Sequence, residues 1–346
     1  MKLNEAVAQN PPYIIAEMSA NHGGSLESSL ALVHAAQKAG ADCLKIQTYT
    51  ADTMTIECDN DYFRIQGGLW GGYTFYDLYS QAHTPWEWQQ TIKNECEAAG
   101  MDFLSTPFDV TSADFLESIG VQAYKIASFE LVDIPLIRYV AQKGKPMIVS
   151  CGMGSIDEIQ LAVETIVQAG LRRDQIFLLK CTSEYPADPA DMNLAAIPDM
   201  MSRFGVRVGL SDHSIGFLAP VVAASLGACI IEKHFCLGRN IETPDSKFSM
   251  EPMEFAEMAV HVKSALKIRG KVSYELTEKE KGSMAFRRSL FAVQDIKKGE
   301  AFTENNVRCI RPGYGMAPKY YESLLKVRAQ REYKRGDPIG EGEISE

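Results

Sequence analysis

The sequence has no uninterrupted apolar run long enough to cross a membrane and no concentrated block of basic residues. Its longest apolar stretch, 218–231, is about half a membrane span and is broken by Pro220, Ser225 and Gly227. The formal net charge of −10 argues against nucleic acid or an anionic membrane as partner, because both need a basic face. The first twelve residues lack the apolar run of a secretory signal. We therefore expect a soluble, cytoplasmic protein, and a small anionic substrate stays compatible with its charge.

Paired cysteines of the Cys-x-x-Cys type are also absent. The eight cysteines are scattered, and several fall within predicted strands: Cys43, Cys58, Cys96, Cys151, Cys181, Cys229, Cys236 and Cys309. Because disulfides persist mainly in oxidising compartments, we expect free thiols in a reduced compartment.

Short apolar or β-branched runs alternate with longer segments of helical period from residue 13 onward. The predicted strands are Tyr13–Glu17, Cys43–Gln47, Asp102–Thr106, Ala123–Ala127, Pro146–Ser150, Ile176–Thr182, Val206–Ser211 and Cys229–Phe235. The most regular helical patterns are Ser25–Ala39, Pro85–Ala99, Ser155–Ala169 and Ile215–Leu226. Apolar runs without strict alternation favour parallel strands that are buried on both faces. Eight such units in about 260 residues predict an α/β fold, a (β/α)8 TIM barrel.

A doubly wound sheet is the alternative, but it would place polar residues at a single switch point. Here every predicted strand ends in polar side chains, which favours a closed barrel with its chemistry at that end. The segment 48–84 after the second strand is long and aromatic, and it contains two Gly-Gly pairs. We interpret it as a lid over the barrel mouth, with a surface excursion packed on a helix as the alternative.

The pattern changes after the barrel region, and we divide the chain into three parts. Residues 1–270 form the predicted catalytic domain, and the polar stretch 271–286 is a predicted linker. Residues 287–346 contain short strands between turns and predict a small β-rich domain. A domain of about 60 residues is marginal alone, so we expect it to dock on a partner surface.

Two histidines are the candidate metal ligands. His213 follows the seventh predicted strand and His234 ends the eighth, and alternation puts them on equivalent faces. A lone histidine is usually a hydrogen-bonded core or surface residue, but two at neighbouring strand ends favour a shared ion. Two nitrogen ligands leave an open site, which is more typical of Mn²⁺ or Mg²⁺ than of structural zinc.

Lysines and hydroxyls at the strand ends are the candidate anion ligands. Lys45, Lys125 and Lys180 supply charge, and Thr106, Ser128, Ser150 and Ser211 supply donors. A strand-end lysine can also extend to solvent. A buried Lys180 could instead form a Schiff base, which makes a metal-free aldolase the rival hypothesis.

Two glutamates are the candidate acid–base groups. Glu17 ends the first predicted strand, and Glu130 follows the fourth. Either could move protons at the barrel mouth, or could instead orient a lysine or a helix N-terminus.

Several fragments of the barrel region together resemble the sialic acid synthase family, the phosphoenolpyruvate-dependent synthases of nonulosonic acids. They are Ala16–Gly24, Lys45–Thr48, Ser105–Asp109, Tyr124–Ser128, Ser150–Met153, Gly209–His213 and Glu232–Phe235. Downstream, three fragments are similar to that family's antifreeze-like (SAF) domain: Arg287–Leu290, Asp295–Glu300 and Arg311–Gly315. Within the family, the aromatic segment around Trp70 and residues 84–88 is similar to the pseudaminic acid branch. Legionaminate and neuraminate synthases are the alternatives.

This resemblance implies a metal-dependent transferase that joins phosphoenolpyruvate to an amino-sugar aldehyde and releases phosphate by C–O cleavage. It implies that phosphoenolpyruvate is bound by Lys45, Thr106, Lys125, Ser128, Ser150, Ser183 and Ser211. It implies that the sugar is bound by Gln47, Tyr185, Asp245 and Arg311. His213 and His234 would hold Mn²⁺, with Mg²⁺ or Co²⁺ as alternatives, and Glu17 and Glu130 would handle protons. Relatives in this family are domain-swapped homodimers, so Arg311 would come from the other subunit. A non-enzymatic carbohydrate-binding protein is the third hypothesis.

Overall fold

A computed structural model of the protein describes Leu3, Glu5, Val7 and residues 12–344. Most of the twelve-residue start and the last two residues of the predicted small domain therefore lie outside the described residues. The chain forms two compact units, Met1–Gly270 and Lys271–Glu346. No helix in the described part of the chain is both long and apolar enough to span a membrane.

Eight parallel strands form the sheet of the first unit. They are Tyr13–Glu17 (β1), Cys43–Thr48 (β2), Asp102–Pro107 (β3), Tyr124–Ile126 (β4), Met147–Ser150 (β5), Ile176–Cys181 (β6), Arg207–Asp212 (β7) and Ile230–His234 (β8). Their order is β3-β2-β1-β8-β7-β6-β5-β4, and β4 lies beside β3, which closes the ring. The first strand pairs with the last, as in a barrel and unlike in a doubly wound sheet. The predicted TIM barrel is confirmed.

Helices connect the strands of the barrel. They are Leu26–Lys38, Ala51–Met54, Phe75–Ala82, Trp86–Ala98, Val110–Ser118, Ile134–Ala141, Ile156–Gln168, Ala196–Phe204, Leu218–Ser225 and Pro252–Arg269. Local sequence explains their ends: Ser155 caps the helix Ile156–Gln168 by accepting from Glu158 N, and Glu158 bonds back to Ser155 N. The helix predicted at 215–226 begins only at Leu218, because Gly216 has φ +77° and breaks the helical backbone.

The apolar side chains of the strands fall into an inner and an outer layer. Phe177 and Leu179 of β6 pack inside the barrel, whereas Ile176 and Leu178 pack against the helices. The same alternation runs through the other strands, since successive side chains point to opposite faces. It turns odd-numbered residues of β2 and even-numbered residues of β8 toward the barrel axis, which places Lys45 and Glu232 there.

All eight cysteines lie in the described part of the chain, and all are free thiols. Five of them are buried, and Cys58, Cys229 and Cys309 are half-buried. The expectation of free thiols is confirmed.

The second unit has a small antiparallel sheet of two strands, Ser289–Ala292 (β9) and Val307–Ile310 (β10). Its core is formed around Leu290, Phe302 and Tyr333. The stretch predicted as a linker contains a six-residue helix, Glu278–Ser283. The Thr277 side chain starts this helix by accepting from Glu280 N, a capping box that the interpretation as a linker overlooked. A further short helix lies at Tyr321–Leu324.

Candidate active site

The carboxyl ends of β1, β2 and β8 hold a buried cluster of charged side chains around Lys45. Its Nζ lies 2.7 Å from Glu17 Oε2 and 3.5 Å from Glu232 Oε1. Thr106 of β3 accepts a longer hydrogen bond of 3.4 Å from the same ammonium, and Ser211 of β7 donates to Glu232 at 3.4 Å. Side chains from five consecutive strands, β3-β2-β1-β8-β7, therefore form this cluster inside the barrel mouth.

The charges in this cluster shift one another's pKa values. Burial lowers the pKa of Lys45, but Glu17 and Glu232 outweigh it and leave that pKa above its ordinary value. Burial raises the pKa of Glu17 despite the adjacent ammonium. Burial also acts on Glu232, but Lys125 and Lys45 hold its pKa below the ordinary value. Lys45 is therefore an ammonium at neutral pH, as a point charge for an anionic ligand has to be.

A second buried ammonium comes from β4. Lys125 is 2% exposed, and its Nζ donates to Ser150 Oγ of β5 at 2.6 Å and to Ile126 O at 2.9 Å. Burial lowers the pKa of Lys125, because removal from water disfavours the charged form of the side chain. A bound anion would offset this cost by stabilising the ammonium. The mouth therefore offers two fixed positive charges, each with a hydroxyl beside it.

Gly152 brings two more hydroxyls to the same side of the mouth. Its N–H donates to Ser128 Oγ at 3.0 Å. A Cβ atom at this position would lie 2.8 Å from Ser128 Oγ and 2.1 Å from Ser183 Oγ. Only glycine allows the backbone after β5 to approach both serines this closely. The structure thus brings Ser128 and Ser183 together beside Gly152.

Lys180 is not part of this group. On β6 it shares a face with Leu178, which packs against the helices, and its Nζ donates to Cys181 O at 3.0 Å. The inward position is occupied by Cys181, whose Sγ lies 3.8 Å from His213 Nδ1. The prediction that Lys180 faces the site is wrong. It rested on the position of Lys180 near the end of β6 and did not consider that successive side chains of a strand point to opposite faces. The Schiff-base aldolase hypothesis loses its nucleophile.

His213 and His234 lie side by side at the mouth, with ring centroids 5.4 Å apart. His213 Nδ1 lies 2.9 Å from Thr182 O, which orients the imidazole and leaves Nε2 as its second nitrogen. His234 Nδ1 is buried and has no hydrogen-bond partner, and its nearest acid is Asp245, with Oδ2 at 4.0 Å. Tyr185 and Phe248 pack against the two rings.

These two imidazoles fit a divalent ion. Burial and the neighbouring His213 hold the pKa of His234 well below its ordinary value, so the ring is neutral, as a metal ligand must be. Burial also lowers the pKa of His213, but the contact with Cys181 outweighs it and leaves that pKa above its ordinary value, so an ion would compete with a proton there. The unpartnered Nδ1 of His234 is an unsatisfied buried group that an ion would satisfy. In the described part of the chain no cluster of three or more His, Cys, Asp or Glu side chains has metal-binding geometry. The described side chains therefore offer an ion two imidazole nitrogens at this place.

The two candidate acid–base residues have different surroundings. Glu17 is bound to Lys45 and accepts from Gln47 Nε2 at 2.9 Å, so it orients these two side chains. Glu130 Oε2 is buried and has no hydrogen-bond partner. Burial raises the pKa of Glu130 to about 7, partly offset by Lys125. Glu130 is therefore the carboxyl group suited to exchange protons near neutral pH.

Two of the predicted sugar-binding residues of the barrel lie beside the histidines. Tyr185 lies 4.3 Å from His213 between ring centroids, and Asp245, which accepts from Ala20 N at 3.4 Å, has its Oδ2 4.0 Å from His234 Nδ1. Gln47 lies on β2 beside Lys45 instead, and it donates to Glu17 and to Ser19 Oγ, each at 2.9 Å.

The long aromatic segment after β2 lies against the mouth near Tyr185. Trp70 Nε1 donates to Pro244 O at 3.1 Å, and its ring lies 5.5 Å from that of Tyr185. Tyr79, in the helix Phe75–Ala82, packs edge-on against Tyr49. These contacts place Trp70 beside Tyr185 and Tyr79 beside Tyr49, which favours the lid interpretation over the surface excursion.

Comparison with known proteins identifies the family. Residues 32–274 match the model of the NeuB family, and residues 287–344 match that of the SAF domain. The chain belongs to the NeuB family. The resemblance to sialic acid synthases and the barrel-plus-SAF architecture are thereby confirmed.

Individual NeuB-family relatives are similar over nearly the full chain. The pseudaminic acid synthase of Campylobacter jejuni subsp. jejuni is 45% identical over 332 residues, which cover 96% of each chain. The pseudaminic acid synthase of Helicobacter pylori is 40% identical and covers 96% of this chain and 98% of its own. The N-acetylneuraminic acid synthetase structure from Leptospira borgpetersenii has a TM-score of 0.71 and 32% identity, covering 80% of this chain and 90% of its own.

Two residues of this NeuB-family chain stand apart from the sequence predictions. Glu232 was not among the predicted site residues, although it lies two positions before His234 on the same face of β8, and that spacing is the signal that could have found it. Arg311 lies in the second unit, directly after β10, and its side chain is exposed. The barrel unit therefore does not contain the predicted arginine.

Proposed function

We propose that the chain is a pseudaminic acid synthase. It condenses phosphoenolpyruvate with 2,4-diacetamido-2,4,6-trideoxy-L-altrose (6-deoxy-AltdiNAc) and water to give pseudaminic acid and phosphate. The observation that carries the proposal is the pairing of two buried ammonium groups with two adjacent imidazoles at one barrel mouth. The 45% identity to the Campylobacter jejuni pseudaminic acid synthase supports the choice of sugar, whereas the legionaminic acid synthase of Legionella pneumophila is 33% identical.

Phosphoenolpyruvate carries a phosphate and a carboxylate, and the site has a fixed ammonium for each. Lys45 and Lys125 supply the charges, because their buried positions exclude competing water. The hydroxyl donors around them are Thr106, Ser128, Ser150, Ser183 and Ser211. The carboxylates of Glu17 and Glu232 fix Lys45 in place before the substrate arrives.

A divalent ion, Mn²⁺ in this proposal with Mg²⁺ or Co²⁺ as alternatives, would be held by His213 and His234. When bound, it supplies Lewis-acid polarisation to the aldehyde oxygen of the open-chain sugar. Thr182 O fixes the ring of His213, and the apolar contacts of Tyr185 and Phe248 fix the ring plane of His234.

The reaction joins carbon 3 of phosphoenolpyruvate to the sugar aldehyde, which leaves positive charge at carbon 2. Water adds at carbon 2, and phosphate leaves with the bridging oxygen, so that the C–O bond breaks. The attacking water loses both protons as carbon 2 becomes a ketone: the departing phosphate takes one, and the new hydroxyl group gains the other. Glu130 accepts or returns this proton, because its pKa of about 7 allows both states at neutral pH. The ammonium group that binds the phosphate stabilises it as its charge grows on departure.

The sugar lies between the histidines and the aromatic lid. Gln47, Tyr185 and Asp245 face this space, and their donors and acceptors suit acylamino and hydroxyl groups. Trp70 adds an indole face beside Tyr185, which favours the methyl group of a 6-deoxy sugar over a polar hydroxymethyl group.

Arg311 completes the sugar site from a second copy of the chain, so the active protein is a domain-swapped homodimer. The proposal places this dimer in the cytoplasm. The exposure of Arg311 within the second unit supports its role, since an exposed guanidinium is free to bind an acylamino carbonyl. Arg311→Ala should raise the KM for the sugar about tenfold and leave the KM for phosphoenolpyruvate unchanged. An unchanged sugar KM in steady-state assays would remove Arg311 from the site.

The proposed activity is tested with purified protein and phosphoenolpyruvate labelled with ¹⁸O at the bridging position. Phosphate should appear only with sugar and divalent metal present, should retain the label, and should cease to form with EDTA. Activity that survives chelation, together with trapping of pyruvate on the protein by borohydride, would indicate a Schiff-base aldolase instead. Sugar binding without turnover in metal-replete buffer would indicate a carbohydrate-binding protein.

A further inference from the structure

A buried ion pair lies behind the two histidines, on the outward faces of β7 and β8. Lys233 Nζ lies 2.5 Å from Asp212 Oδ2, and the two side chains are at most 1% exposed. The same ammonium donates to Ser214 O at 2.5 Å. Both charged residues precede a histidine directly, at 213 and 234, and both point away from the mouth because strand residues alternate.

The backbone pairing of β7 with β8 ends at this pair. The parallel register runs Leu210 with Ile231, Ser211 with Glu232 and Asp212 with Lys233, and it goes no further. His213 therefore lies just beyond the last rung of the ladder that would hold it at a fixed distance from β8.

Beyond the end of this backbone ladder, the Lys233 side chain links β8 to the residues on either side of His213. It binds the residue on each side of His213, namely the Asp212 carboxylate and the Ser214 carbonyl. The other carboxylate oxygen of Asp212 accepts from Ser214 N at 2.9 Å, which closes a short turn around His213. A single side chain from the residue before His234 thus clamps the three-residue turn that carries His213.

We propose that Lys233 and Asp212 are positioning residues that set the separation of the His213 and His234 imidazoles. This inference rests on the proposed function, since it takes the histidine pair as the metal site. Neither residue contacts the mouth, so both act through the backbone of 212–214. Groups that orient metal ligands typically change metal affinity by 10–100-fold when removed.

A structural role alone must be separated from positioning, because an unpaired buried charge destabilises a protein strongly. Lys233→Met leaves the Asp212 carboxylate buried without its partner and should lower the melting temperature. Lys233→Met combined with Asp212→Leu removes both charges and should recover most of that stability. Positioning predicts that the double variant still binds Mn²⁺ weakly, since Ser214 O is no longer held. Lys145→Met is the control, because it breaks an ion pair with Glu117 that lies away from the histidines.

The experiment titrates each full-length variant with Mn²⁺, following free Mn²⁺ by electron paramagnetic resonance well below the melting temperature. We expect the Mn²⁺ Kd to rise about tenfold in the single and double variants, with phosphoenolpyruvate binding in calorimetry unchanged and Lys145→Met like the wild type. Hydrogen exchange provides a metal-independent measurement, and the Ser214 amide should exchange faster in Lys233→Met, which keeps the Asp212 acceptor of that amide. A folded double variant with wild-type Mn²⁺ affinity would overturn the inference. A wild-type protein that binds no Mn²⁺, while exchange at Ser214 changes as expected, would overturn the metal proposal itself.

Discussion

Replacing Gly152 by alanine should weaken phosphoenolpyruvate binding while leaving the barrel folded. The new Cβ would lie 2.1 Å from Ser183 Oγ and 2.8 Å from Ser128 Oγ. Packed heavy atoms lie about 3.5–4.0 Å apart, so the Ser183 hydroxyl has to move by roughly 1.5 Å. Ser128 has to move as well, although its Oγ accepts the Gly152 N–H.

The size of the effect follows from the lost hydroxyl donors. A hydrogen bond to a charged group contributes about 1.5–3 kcal/mol. Losing one such bond raises a dissociation constant by about ten- to a hundredfold, at 1.4 kcal/mol for each factor of ten. Overpacking should cost about 1–3 kcal/mol of stability, which an ordinary domain with about 5–15 kcal/mol tolerates.

Steady-state kinetics and calorimetry measure the result. We expect the KM and Kd for phosphoenolpyruvate to rise at least tenfold, with the KM for the sugar much less affected. Gly282→Ala is the control, because no atom lies within 4 Å of the added Cβ and the backbone there is not left-handed. A phosphoenolpyruvate KM within twofold of the wild type, in a variant whose melting temperature has fallen, would refute the assignment of Ser128 and Ser183.

Three further substitutions examine the charges and the lid. Burial raises the pKa of Glu130 from its ordinary value of 4.5 to about 7, so the wild type should lose stability relative to Glu130→Gln as pH rises from 4.5 to about 7, with no further loss above that. Melting temperatures between pH 5 and pH 9 measure this difference in stability. The wild-type inflection near pH 7 in kcat/KM should vanish in the variant. An inflection that persists in Glu130→Gln would contradict the role of Glu130 in proton transfer. Lys45→Met leaves Glu17 and Glu232 buried without their ammonium partner. This should lower the free energy of unfolding, measured by urea denaturation, by about 3–5 kcal/mol, and it should abolish phosphate release. Retained turnover would show that Lys45 does not bind the substrate. Trp70→Phe removes the N–H donor to Pro244 and shrinks the ring that packs against Tyr185. It should raise the sugar KM about fivefold, whereas Tyr62→Phe at an exposed position of the same segment should not. Equal effects of these two variants would count against a specific role for Trp70.

Sequence periodicity was sufficient for the barrel, because each strand and the helix after it carry their own signals. Burial on both faces makes a strand such as β6 continuously apolar, and caps such as Ser155 mark where helices begin. Boundaries differ by one to three residues where a glycine decides them, as at Gly216.

The site was predicted in part, since sequence shows which residues end a strand and does not show which face they occupy. Lys45 and Lys125 lie inside the mouth, whereas Lys180 points outward because it falls one residue out of phase on β6. Glu232 was not predicted as a site residue, although its spacing from His234 puts both on one face of β8. Only the distances show that it fixes the Lys45 ammonium.

The comparison of sugar substrates tests the central claim most directly. Purified protein with phosphoenolpyruvate and Mn²⁺ is assayed for phosphate release with 6-deoxy-AltdiNAc, with N-acetylmannosamine and with the 2,4-diacetamido precursor of legionaminic acid. The account predicts the highest kcat/KM for 6-deoxy-AltdiNAc, with pseudaminic acid as the product by NMR. A higher kcat/KM for either of the other two sugars would contradict it.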